Sequence, residues 1–121
     1  MRGRMKLLKS ITYSFTFCER MEPHKMLENK FQANLIKEIK KNLPGCIIMK
    51  NDSSYIQGIP DLLILHNNKW GSLECKKTAN AKRQPNQEYY VELMDEMSFA
   101  RFIYPENKEE VLNELYSSLQ S

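Results

Sequence analysis

Gly58-Ile59-Pro60-Asp61-Leu62-Leu63-Ile64-Leu65 and, four residues on, Trp70-Gly71-Ser72-Leu73-Glu74-Cys75-Lys76 are the two runs from which the fold is read. The first is Leu and Ile without polar alternation from Leu62 onward, the pattern of a strand covered on both faces and therefore central in its sheet. His66-Asn67-Asn68-Lys69 supplies turn chemistry, so the second run returns beside the first as the next strand. A carboxylate, Asp61, stands at the mouth of the first strand. A charge there is costly unless something pairs with it. On the second strand, residues two apart share a face, so Ser72, Glu74 and Lys76 project together while Leu73 and Cys75 project the other way.

Glu-x-Lys by itself says little in a chain with 27% charged residues. It recurs at Glu38-Ile39-Lys40 and at Glu106-Asn107-Lys108, but both of these fall on helical patterns. Residues two apart on a helix point about 200° away from each other and cannot converge on one site. Only Glu74 and Lys76 can. An ordinary half-solvated strand would also carry such a pair. The difference here is Asp61, which the hairpin brings alongside Glu74. Two adjacent carboxylates repel, and a divalent cation resolves the repulsion by taking both as hard oxygen ligands. A lysine beside such a pair can stabilise charge that grows on a phosphate. Those groups suit metal-assisted hydrolysis of a phosphodiester.

Working outward, Leu27, Phe31, Leu35, Ile36, Ile39 and Leu43 form one apolar stripe, predicting a helix from about Pro23 that Pro44-Gly45 stops. Cys46-Ile47-Ile48-Met49 reads as a strand, and Asn51 to Gly58 as a turn-rich loop. Beyond the hairpin, Thr78 to Arg83 is a polar, basic loop. A helix then runs from about Pro85 to Ser98, with Tyr90, Val91, Met94 and Met97 as its buried stripe. Phe99 to Tyr104 is a fourth strand, and Pro105 opens a last helix carrying Val111, Leu112 and Leu115. The order α-β-β-β-α-β-α predicts an α/β fold, a mixed four-stranded sheet flanked by helices. Residues 26–121 form the expected domain. Residues 1–25 read as an N-terminal extension, either an edge strand, since Ile11, Tyr13, Phe15 and Phe17 alternate with polar residues, or a poorly ordered segment.

The size fits one domain. A net charge of +3 permits nucleic-acid binding without arguing for it. The three cysteines, Cys18, Cys46 and Cys75, have no metal-ligand spacing and read as reduced thiols of a cytoplasmic protein. No run approaches a membrane span, and no motif for a small-molecule cofactor occurs.

Two polar residues fall on the apolar stripes. Glu28 sits at the sheet-facing edge of the first helix and Gln87 at the sheet-facing start of the second; either is alternatively a solvated helix-end residue. Lys77, Lys82 and Arg83, with Lys76, make a local basic cluster able to hold backbone phosphates. Asn51 and Asp52 read equally well as substrate contacts or as turn chemistry. Tyr89 is a surface aromatic suited to stacking on a base.

Together, Gly58-Ile59-Pro60-Asp61, Glu74-Cys75-Lys76 and Gln87 resemble the PD-(D/E)XK nuclease superfamily, and within it the VRR-NUC-like group that includes small stand-alone phage proteins. The resemblance covers about residues 26–119. It implies that Asp61 and Glu74 bind Mg²⁺ or Mn²⁺ with the Cys75 backbone carbonyl as a third ligand, that Lys76 is the catalytic lysine, and that Glu28 and Gln87 support the site. It implies a DNA endonuclease, with branched or flapped DNA among the substrates and a homodimer as the working unit. An RNA-directed nuclease, an exonuclease or a non-catalytic nucleic-acid-binding module would use the same residues.

Overall fold

The computed structural model describes residues 23–121. The alternating segment Ile11–Phe17 and most of the extension lie outside the described residues. In chain order the elements are helix α1 (Pro23–Asn42), strands β1 (Ile47–Lys50), β2 (Leu62–His66) and β3 (Lys69–Cys75), helix α2 (Gln87–Met97), strand β4 (Ala100–Ile103), a 3₁₀ turn (Pro105–Asn107) and helix α3 (Lys108–Gln120). The strands lie in the spatial order β1-β2-β3-β4. The first two pairings are antiparallel and the third, reached through α2, is parallel. This is an α/β fold with a mixed four-stranded sheet and helices against it, as expected. The element boundaries differ from expectation by a residue or two. The largest difference is at Pro105, which starts a 3₁₀ turn rather than the α-helix itself.

β2 and β3 are joined at Asn67-Asn68, where Asn67 takes a positive φ of 56°. Asn tolerates that left-handed conformation better than most residues, which suits it to a two-residue hairpin. The hairpin register sets Leu62 opposite Leu73 and Ile64 opposite Gly71. These residues and Cys75 share one sheet face. Leu35, Ile39 and Leu43 of α1 and Val111, Leu112, Leu115 and Leu119 of α3 pack on it as one buried cluster. Gly71 leaves room for α3, since a side chain there would meet Leu115 at 2.8 Å. The opposite face, over β3 and β4, is covered by α2.

Both helical stripes are shorter than the periodicity predicts. Leu27 is 61% exposed and Met97 64%. A 20-residue helix is ~30 Å long, more than any strand beneath it, so the first turns of α1 overhang the end of the sheet. At the far end of α2 Met97 is left exposed, and Phe99, two residues on, is buried instead in the cluster beneath α1 and α3. The helix start at Pro23 also places the expected boundary between residues 25 and 26 inside α1.

Candidate active site

The overhang of α1 creates a cleft. It opens beyond the ends of β2 and β3, between the start of α1 and the start of α2, with a volume of about 800 Å³. Asp61, Glu74 and Lys76 lie at its base, Lys25 and Glu28 on the α1 side, and Lys77, Lys82, Gln84 and Gln87 on the α2 side. Ser53, Ser54 and Gln57 close it from the loop that precedes β2.

That loop is held in three ways. Asn51 donates from its side-chain amide to the Pro60 carbonyl at 2.8 Å, and its backbone N–H donates to the Asp61 carbonyl at 2.9 Å. The Asp52 carboxylate accepts from the Ser54 N–H and hydroxyl, fixing the turn. Gly58 has a φ of 92°, and a side chain on it would meet Asn86 at 2.6 Å. No other residue suits a position that needs both a left-handed backbone and contact with the residue before α2. Asn51 and Asp52 thus resolve in favour of turn chemistry. The Gly-Ile-Pro-Asp sequence is the hinge that delivers Asp61 to the cleft.

β3 is buried on both faces where it matters. Ser72 is fully buried, Glu74 is 3% exposed and Lys76 6%, so the half-solvated-strand reading fails. The Ser72 hydroxyl is satisfied by the Leu62 carbonyl at 2.6 Å. The charged residues are held by specific partners. Asp61 accepts from the Cys75 N–H at 2.9 Å. In a strand, a residue's N–H and C=O point to the same neighbour. The Cys75 carbonyl therefore lies on the edge that faces Asp61. Lys76 Nζ donates to the Lys82 carbonyl at 3.1 Å and sits 3.9 Å from Glu74 Oε2. Gln87 donates from Nε2 to Glu74 Oε2 at 2.9 Å, while its Oε1 accepts from the Gln84 N–H at 2.8 Å. The second bond orients the amide, so its NH₂ group faces the carboxylate.

Glu74 Oε1 is buried and meets no donor. Burial and the nearby Asp61 charge push the Glu74 carboxyl up to about 8, with Lys76 opposing. Burial likewise raises Asp61, against the Cys75 N–H, Lys25 and Lys76. Without a cation, the pair therefore retains a proton near neutral pH. Among the described residues no three His, Cys, Asp or Glu side chains converge as a complete ligand set. Two carboxylates suffice for magnesium, which keeps several waters and uses substrate oxygens for the rest. The orphaned Glu74 oxygen beside Asp61 fits such an ion.

The cleft thus brings together Asp61, Glu74, Lys76, Glu28, Gln87, Lys77 and Lys82. Arg83 is not part of it. Its guanidinium lies 3.7 Å over the Phe102 ring and pairs with Glu88 at 2.8 Å. Stacking on an aromatic face is a long-range consequence of the fold, and it draws Arg83 off the cleft. Conversely, Lys25 and Gln57 line the cleft without having been singled out by sequence. The only signal for Lys25 was its position three residues before Glu28 on one helix face. Tyr89 is 59% exposed on α2, in edge-to-face contact with Tyr90.

Among the described residues no helix is long and apolar enough to cross a membrane. Compared with known proteins, the chain matches no family model and no curated protein.

Proposed function

We propose that this chain is a metal-dependent endodeoxyribonuclease of the PD-(D/E)XK type. The observation that carries the reading is Glu74: a carboxyl 3% exposed, with one oxygen held by Gln87 and the other without a donor, facing Asp61 and Lys76 in one cleft. Burying such a group is expensive, and a cation ligated by Asp61, Glu74 and the Cys75 carbonyl offsets the cost. When bound, Mg²⁺ or Mn²⁺ supplies Lewis acidity toward a phosphate oxygen and lowers the pKa of water.

The chain's own residues supply the rest. Lys76, kept in place by the Lys82 carbonyl, directs a buried positive charge at the phosphate, where it stabilises charge accumulating in the transition state. Gln87 holds Glu74 in a single orientation. Glu28, half-buried on the opposite wall, adds a carboxylate able to orient water. Lys77 and Lys82 present ammonium groups to the flanking backbone. The family resemblance adds branched DNA as a substrate and a homodimer as the working unit.

The test is cleavage of supercoiled plasmid, linear duplex, single-stranded, flap and four-way-junction DNA in Mg²⁺, Mn²⁺ or EDTA, by the wild type and by Glu74→Ala. Metal-dependent cutting that the variant loses is the expected result. Cutting that persists in EDTA, or unchanged in the variant, would sink the assignment. Binding without cutting would instead point to an accessory module.

A further inference from the structure

The lysines around the cleft are not on one side only. Lys77 and Lys82 belong to the segment that leads into α2, whereas Lys25 stands on α1, across the carboxylate pair. It shares a helix face with Glu28, one turn nearer the helix start. Lys25 is exposed, and among the described residues it makes no ion pair, unlike Lys108, which is tied to Glu38 at 2.9 Å. Its ammonium is close enough to Asp61 to favour the charged form of that carboxyl. A positive charge at this position therefore faces the base of the cleft and, among the described residues, is tied into no ion pair.

We infer that Lys25 binds a substrate phosphate on the α1 side of the scissile bond, so that the cleft accommodates a strand continuing in both directions from the cut. This rests on the nuclease reading above and narrows it. An enzyme that trims chain ends needs a phosphate grip on one side of its centre. Grips on two opposite walls fit a bond inside a chain. The strand then passes from the segment before α2, over Asp61 and Glu74, to the first turns of α1. Because those turns overhang the sheet, the length of α1 itself extends the substrate track.

The experiment is the salt dependence of KM for cleavage of a fluorescent duplex oligonucleotide in Mg²⁺, by wild type, Lys25→Gln and Lys41→Gln. Lys41 carries the same charge ~24 Å further along α1 and controls for net charge. Lys25→Gln is expected to raise KM several-fold and to lower the slope of log KM against log salt by roughly one, the loss of one phosphate contact, with kcat near wild type. Lys41→Gln is expected to keep the wild-type slope. A wild-type slope and KM in Lys25→Gln overturn the inference, as does an equal loss in Lys41→Gln or a fall in kcat alone. A wild type that cuts no DNA overturns the nuclease reading, and this inference with it. A wild type that cuts while Lys25→Gln behaves identically removes only the role of Lys25.

Discussion

Two charged clusters in this molecule are built from the same residue types and do opposite things. On the surface, Arg101 lies 4.4 Å over Phe99, pairs with Asp95, and meets Glu114 at 3.2 Å; these side chains are 35–43% exposed. Each charge there has a partner and water beside it. In the cleft, Asp61, Glu74 and Lys76 are withdrawn from water. The Lys76 ammonium stands 3.9 Å from Glu74 and also acts on Asp61, and one carboxylate oxygen of Glu74 has no donor. A paired surface network joins α2, β4 and α3 at little cost and for modest gain. A buried, under-satisfied one is costly to keep unless a proton or a cation offsets the repulsion.

Cleavage should separate the two most sharply. On the proposed function, Glu74→Ala is expected to lower kcat by about 10³-fold or more, since it removes the proposed metal ligand and the partner of Lys76 and Gln87. Plasmid-nicking rates measure this, and activity within tenfold of wild type would put the cleft on the same footing as the Arg101 cluster. Next comes Gln87→Leu. It keeps the bulk but leaves Glu74 Oε2 without its amide donor, so metal affinity or rate should fall by about 10–100-fold. A metal titration of the cleavage rate separates those two effects.

A third contrast is in stability. The Glu74 carboxyl is raised from 4.5 to about 8 in the fold, so the metal-free folded state holds a proton that the unfolded chain releases. That stabilisation is complete below about pH 4.5 and is lost as pH rises toward about 8. Unfolding in EDTA should therefore show Tm falling over that range, by roughly ten degrees or more. Glu74→Gln should flatten this fall, and saturating Mn²⁺ should suppress it. An unchanged pH profile in Glu74→Gln would place the titration elsewhere. The smallest effect belongs to the surface. Glu114→Ala should cost less than about 1 kcal/mol in denaturant unfolding and leave cleavage intact.

What could be read from the sequence was what local geometry determines. Strand alternation puts Glu74 and Lys76 on one face, and a short turn brings Asp61 beside them. Helical periodicity aims Glu28 and Gln87 at the sheet. The mixed sheet follows from the same reasoning, because a hairpin makes antiparallel neighbours and a helix between two strands supports a parallel one. What escaped depends on how far elements extend past one another. Leu27 and Met97 continue their stripes in sequence but are exposed near the ends of their helices. Lys25 lines the cleft because α1 outruns the strands. Arg83 leaves the basic cluster because Phe102, nineteen residues later in the chain, offers it an aromatic face. None of these can be seen in a window of neighbouring residues.

The bond from the Cys75 amide to Asp61 has a use of its own. Backbone amides in a sheet normally donate to peptide carbonyls, whose charge never changes. This one donates at 2.9 Å to a side chain whose charge does. Its proton resonance is thus tied to the state of Asp61, and a ¹⁵N-labelled sample carries an internal indicator at that position. Through one backbone signal, with every side chain left native, a spectroscopist can follow the carboxyl as it loses its proton or takes up a cation.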